Sequence, residues 1–115
     1  MSVLAIHAGT KNVTAVVVSP QGQVVASSRR ELHQHSPEPG WVEHAPEEIW
    51  QATLDATRAV LREVDAAELT SMGITNDRDT VVLWDRETLG SPRRAIARPD
   101  RRTADICARL RCSRR

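Results

Sequence analysis

Residues 3–6 form a short apolar run closed by Gly9, and residues 13–18 form a second, rich in β-branched side chains. Runs of this length and make-up predict strands. The polar HAGTKN between them, with one Gly, predicts a tight hairpin. Ser19, Pro20, Gln21 and Gly22 set Pro second and Gly fourth, as a type I turn prefers, and a third strand follows over 23–33. The simplest arrangement is an antiparallel meander. Residues 35–45 contain Pro37, Pro39 and Gly40, which predicts a loop.

From Pro46 the apolar positions Trp50, Leu54, Val60, Leu61 and Val64, with Ile49 and Ala56 beside them, recur at helical spacing. Pro46 suits a first helical position, whereas Ala45 before it offers no side-chain cap, an omission that costs about 1 kcal/mol. Residues 71–75 and 80–84 predict two more strands joined by NDRD, with Arg78 and Asp79 at the strand ends, where sites commonly form. Residues 87–92 predict a turn. Residues 101–111 predict a short helix whose apolar side is Ile106, Cys107 and Leu110. The order βββ-α-ββ-α indicates an α/β domain on a mixed sheet.

A chain of 115 residues suits one small domain. With no Phe, no Tyr and three Trp, the core must be filled by Val, Leu, Ile and Ala, so marginal stability is expected. There is no run of about 18 apolar residues and no signal-peptide pattern, which predicts a cytosolic protein without a membrane partner. Cys107 and Cys112 show neither zinc spacing nor a disulfide framework, so reduced thiols are expected.

Net charge of +1 hides an asymmetry: residues 1–92 carry seven Lys and Arg against thirteen Asp and Glu, while 93–115 carry nine Arg against two Asp. The basic end raises a nucleic-acid-binding alternative. The absence of an aromatic residue for base stacking in that segment argues against it. His33, His35, Glu43 and His44 are metal-ligand types, but no helix or strand frames them together, and a solvated loop is the expectation. Trp41 and Trp50 flank the helix start and are expected to pack there.

Three motifs stand in order along the chain: LAIHAGT at 4–10, PGWVEHAPEEIW at 39–50, and GITNDRDTVVLWDRETLGSPRRAIARPDRRTADIC at 73–107. Together they resemble the N-terminal lobe of the FGGY carbohydrate kinases, and the glycerol kinases among them in particular. The resemblance implies part of a ribonuclease H-like, actin-like ATPase lobe over 1–110, followed by an Arg-rich tail at 111–115. It implies transfer of the γ-phosphoryl group of ATP to glycerol or a similar small polyol, assisted by Mg²⁺.

By resemblance, Thr10, Lys11 and Asn12 lie on the hairpin that holds phosphate, and Arg78 and Asp79 are the polyol-binding pair. The chain departs from the family pattern at six places, Lys11 and Asn12 standing for two hydroxyl residues of the hairpin. His7 stands for an Asp, Thr14 for an Arg, Asp79 for a Glu and Arg98 for a Trp. An imidazole is a poor Mg²⁺ ligand beside a carboxylate, and Asp79 is one methylene shorter than Glu. The resemblance puts the catalytic base and most of the adenosine pocket beyond the matched segment. No catalytic or metal residue is therefore assigned, and the expectation is a truncated lobe, inactive alone. The alternatives are a non-catalytic polyol- or phosphate-binding lobe and one that acts with a partner chain supplying the missing lobe.

Overall fold

A computed structural model describes residues 1–113. Strands β1 (Ser2–Ala8), β2 (Asn12–Val18) and β3 (Val24–Glu31) form the expected antiparallel meander. The first hairpin closes with the Gly9 N–H donating to the Asn12 carbonyl at 2.9 Å, and the second with Gly22 donating to Ser19 at 2.9 Å. Helix α1 (Pro46–Leu61) begins one residue after β4 (Glu43–His44). A 3₁₀ turn over Ala66–Glu68 then leads into β5 (Leu69–Asn76). β5 lies parallel to β1, which gives the mixed sheet the order β3-β2-β1-β5. β6 (Ala95–Ile96) and α2 (Ala104–Cys112) complete the chain.

Alternation in the strands decides the core. Leu4 and Ile6 of β1, Val13, Ala15 and Val17 of β2 and Ala26 of β3 face α1 and are buried with Ala52, Ala56 and Val60. The buried stripe of α1 is therefore Ala52, Ala56 and Val60, turned from the expected one. Leu54 and Leu61 are only half-buried, and Trp50 is 62% exposed and does not pack. Small side chains let the helix approach β2 and β3 closely, and the larger apolar groups are left at its margin. As expected, Ala45 makes no side-chain cap bond and Pro46 opens the helix.

Three further expectations are corrected. Residues 80–84 form no strand; only Val81 bridges to Ile96, and residues 81–84 lie exposed because no neighbouring strand covers them. The loop at 35–45 contains β4, which pairs antiparallel with β6, Glu43 opposite Ile96 and His44 opposite Ala95. That ribbon buries His44 to 4% exposure, so this histidine is not part of a solvated loop, whereas His33 is exposed as expected. The last helix, expected over 101–111, spans Ala104–Cys112, and its apolar side is uncovered, with Ile106 and Leu110 49% and 62% exposed. Arg114 and Arg115 of the tail lie outside the described residues.

The radius of gyration of 18.0 Å exceeds the roughly 13 Å of a compact domain of this length. Parallel register turns Met72 and Ile74 to the same side as Leu4 and Ile6, but α1 stops short of β5 and both remain largely exposed. The core is thus carried by β1–β3 and α1. Val60→Ala should lower unfolding free energy by about 2 kcal/mol. Thr57→Val, which removes a buried hydroxyl without a partner, should raise it by about 1 kcal/mol. Urea titration of the two variants would check both, and equal midpoints would contradict this placement of the core.

Candidate functional site

β1 and β5 run parallel and end level, Ala8 opposite Asn76. The hairpin after β1 and the turn after β5 therefore leave the same edge of the sheet. Their backbones are joined there by Asp77 N–H donating to the Ala8 carbonyl at 2.8 Å, and Thr10 Oγ1 donates to Asp77 Oδ2. Between this edge and the start of α1 lies a cavity of about 210 Å³, lined chiefly by apolar groups with Thr10, His44 and Asp77 among them.

The expected site residues divide into three groups. Thr10 lines the cavity. Lys11 and Asn12 face a separate hollow beside Arg29 and His33, and Asn12 Oδ1 accepts from Thr14 Oγ1 at 3.1 Å. Arg78 and Asp79 sit exposed in the turn beyond Asp77, with Asp79 in the left-handed region at φ 63°. Asp79 Oδ2 lies 4.0 Å from Arg98 Nε, so two of the residues that depart from the family pattern face one another. His7 is exposed.

The sequence reading did not single out Asp77 as a site residue and read His44 only as part of a loop. Asp77 could have been found from its place directly after a predicted strand that ends in a turn. His44 offered no such signal, because its burial comes from pairing with Ala95, far along the chain. Burial holds its imidazole below the ordinary pKa of 6.5, outweighing a backbone hydrogen bond with His33 and the nearby Asp77 carboxylate.

The extended segment after the turn presents alternate sides to the two faces of the ribbon. Thr80 and Val82 line the cavity, while Val81 and Leu83 line the back with Trp41, Glu43 and Arg102. On that back face Arg102 is held by four contacts. Its Nε donates to Asp100 Oδ1 at 2.9 Å, Nη2 donates to Asp100 Oδ2 at 2.8 Å and to Glu43 Oε1 at 2.9 Å, and the guanidinium stacks 3.8 Å from the Trp41 ring centroid. Asp100 also accepts the Val42 N–H at 2.7 Å. Chiefly the Arg102 hydrogen bonds, together with that amide, hold the Asp100 carboxyl well below the usual carboxylate range.

The model of the FGGY family of carbohydrate kinases, N-terminal domain, matches residues 2–114. The chain belongs to the FGGY family of carbohydrate kinases. It is 46% identical over 110 residues to a glycerol kinase of Methylobacterium nodulans, covering 94% of this chain and 22% of that protein. It is 45% identical over 108 residues to one of Aquifex aeolicus, again covering 94% and 22%. The solved xylulose kinase from Rhodospirillum rubrum superimposes with a TM-score of 0.86 at 26% identity, over 98% of this chain and 23% of that one. The Plasmodium falciparum glycerol kinase with ADP does so at 0.81 and 28%, over 95% and 22%. The chain thus spans 22% of the length of these curated relatives. The mixed sheet and two helices are part of a lobe of the FGGY, actin-like kinase fold.

Two measurements test the site's construction. A Cβ at Gly9 would meet His7 Nε2 at 2.9 Å and the Asn12 carbonyl oxygen at 3.2 Å. The ring can turn aside but that carbonyl is fixed by the Gly9 amide, so Gly9→Ala should cost about 1 kcal/mol in urea unfolding. Unchanged stability would refute the tight hairpin. The second concerns pH. His44 and Asp100 both have depressed pKa values in the folded state, so the unfolded chain binds more protons as pH falls. Stability should begin to fall below about pH 6.5 through His44, and fall again below about pH 4 through Asp100. His44→Asn should remove the first decline and Asp100→Asn should reduce the second. A profile flat from pH 7 to 3 would contradict both.

Proposed function

We propose that this FGGY segment supplies phosphate- and polyol-binding parts of an ATP-dependent phosphotransferase acting on glycerol or a similar small polyol. The convergence of the hairpin after β1 and the turn after β5 at one cavity carries the reading. The similarity to glycerol kinases over 94% of the chain supports the choice of substrate.

In this reading Arg78 offers a fork of donors and Asp79 a pair of acceptors to adjacent hydroxyls. Thr10 and Asp77 fix the hairpin against the turn, and Lys11 attracts phosphate as a point charge. A nucleotide phosphate fits the hairpin in part, through Lys11, because the Thr10 hydroxyl proton is already given to Asp77. For Mg²⁺, Asp77 is the one carboxylate lining the cavity, and it already accepts from Thr10. No group of three His, Cys, Asp or Glu suited to a metal occurs among the described residues. The fit is therefore to an ion held mainly by phosphate oxygens and water, whose chemistry is to neutralise charge on the transferred group.

No residue of this segment is proposed as the catalytic base. Phosphoryl transfer depends on positioning both substrates, so the segment works with further polypeptide, of its own chain or of a partner, and is inactive by itself. The exposed free thiols of Cys107 and Cys112 suit a reducing, cytosolic compartment.

Calorimetry of the purified chain should show weak saturable heats with glycerol and with MgATP. Arg78→Ala should abolish the first and spare the second, and Lys11→Ala should do the reverse. Heats equal to dilution for both ligands would sink the reading, and phosphorylation of glycerol by this chain alone would sink the claim of inactivity.

A further inference from the structure

The inner wall of the cavity contains a polar atom to which no role has yet been given. His44 is 4% exposed and lines the cavity, and its Nε2 is buried with no hydrogen-bond partner among the described residues. The backbone of His33 favours the protonated form of the ring. With its proton on Nδ1, the neutral ring presents a lone pair at Nε2. The charged and titratable groups that act on the ring are Asp77 and Glu48, which favour its charged form, and His35, which opposes it. Burial outweighs them all, so the ring is neutral at neutral pH.

The chemistry of this wall selects its ligand. A lone pair beside the Asp77 carboxylate repels a phosphate oxygen, which has no proton to give. It matches a neutral O–H, while Ala8, Ile49 and Val82 of the same cavity suit a short carbon chain. A buried acceptor left unmatched is unfavourable, and a ligand hydroxyl completes it.

We propose that His44 is a substrate-binding residue of this site, accepting a hydrogen bond at Nε2 from a hydroxyl of a small polyol. The proposal rests on the reading that the site takes a polyol, and names the group that holds the polyol's inner end while Arg78 and Asp79 meet the outer one.

The test is side-chain ¹⁵N NMR of the full chain with glycerol as the probe, on the wild type, His44→Asn and His44→Gln. Asn sets its amide near the place of Nδ1 and leaves that of Nε2 empty, whereas Gln reaches the place of Nε2. The free protein should show the Nδ1–H tautomer, and glycerol should shift Nε2 saturably. Glycerol affinity should fall about tenfold in His44→Asn and recover for the most part in His44→Gln. An Nε2–H tautomer would overturn the proposal. So would saturable shifts of the amides at 77–80 with Nε2 unmoved, a result that leaves the polyol reading intact. No saturable shift at any residue would overturn both. The wild-type spectra decide the matter even if a variant does not fold.

Discussion

Parallel pairing of β1 with β5 is the constraint on which the site depends. Two antiparallel strands would send their following loops to opposite edges of the sheet, whereas a parallel pair sends both to one edge. In this chain that places Thr10 and Asp77, 67 residues apart, within hydrogen-bonding reach. Helix α1 makes the parallel return possible, since a crossover connection is needed between strands of the same direction. Its stripe of Ala52, Ala56 and Val60 sets how closely that helix lies on β2 and β3. The core therefore positions the site chiefly through backbone geometry, lending it only the apolar side chains of Ala8 and Ile49 at its margin.

A second, smaller constraint fixes the other wall of the cavity. The β4–β6 ribbon has only two residues in each strand, too few to hold by pairing alone. Arg102 makes up the difference by tying Asp100 and Glu43 together while stacking on Trp41. Arg102 and Asp100 are 19% and 5% exposed at their side chains. Paired charges so little exposed are held by geometry that a more mobile Lys could not reproduce. Because His44 lies in β4 with its neighbour Glu43 in this network, the clamp on the back of the ribbon also sets the imidazole on its front.

The meander, both turns and the long helix were legible in the sequence because each is a local pattern: alternation of Leu4 and Ile6, Pro20 and Gly22 in a turn, Pro46 opening a helix. The family was legible too, since its three motifs are contiguous strings. What stayed hidden was set by distant partners. Residues 80–84 have strand-like composition, yet a strand needs a neighbour, and only Val81 finds one. The helical period was right, but which stripe is buried follows from how close the sheet lies, and that favoured Ala52 and Ala56 over Trp50 and Leu54. Asp77 and His44 entered the site through pairings of 69 and 51 residues' separation, Asp77 with Ala8 and His44 with Ala95, and of the two only Asp77, at the end of a predicted strand, carried a local signal.

Asp79 and Arg98 stand where the resemblance to sugar kinases implied a Glu and a Trp, and they face each other at 4.0 Å. With side chains 76% and 60% exposed, the pair adds little to stability. Its effect is on recognition: a guanidinium close to the Asp79 carboxylate competes with any hydroxyl for the same oxygens, and in solvent the charged partner is the stronger donor. Asp79 sits in the left-handed region, which Asp adopts more readily than most residues. The outer end of the site is thus less committed to a diol than its Arg-acid pair suggests. On the proposed reading, a short polyol would then depend more on the interior of the cavity, where the buried acceptor is that of His44.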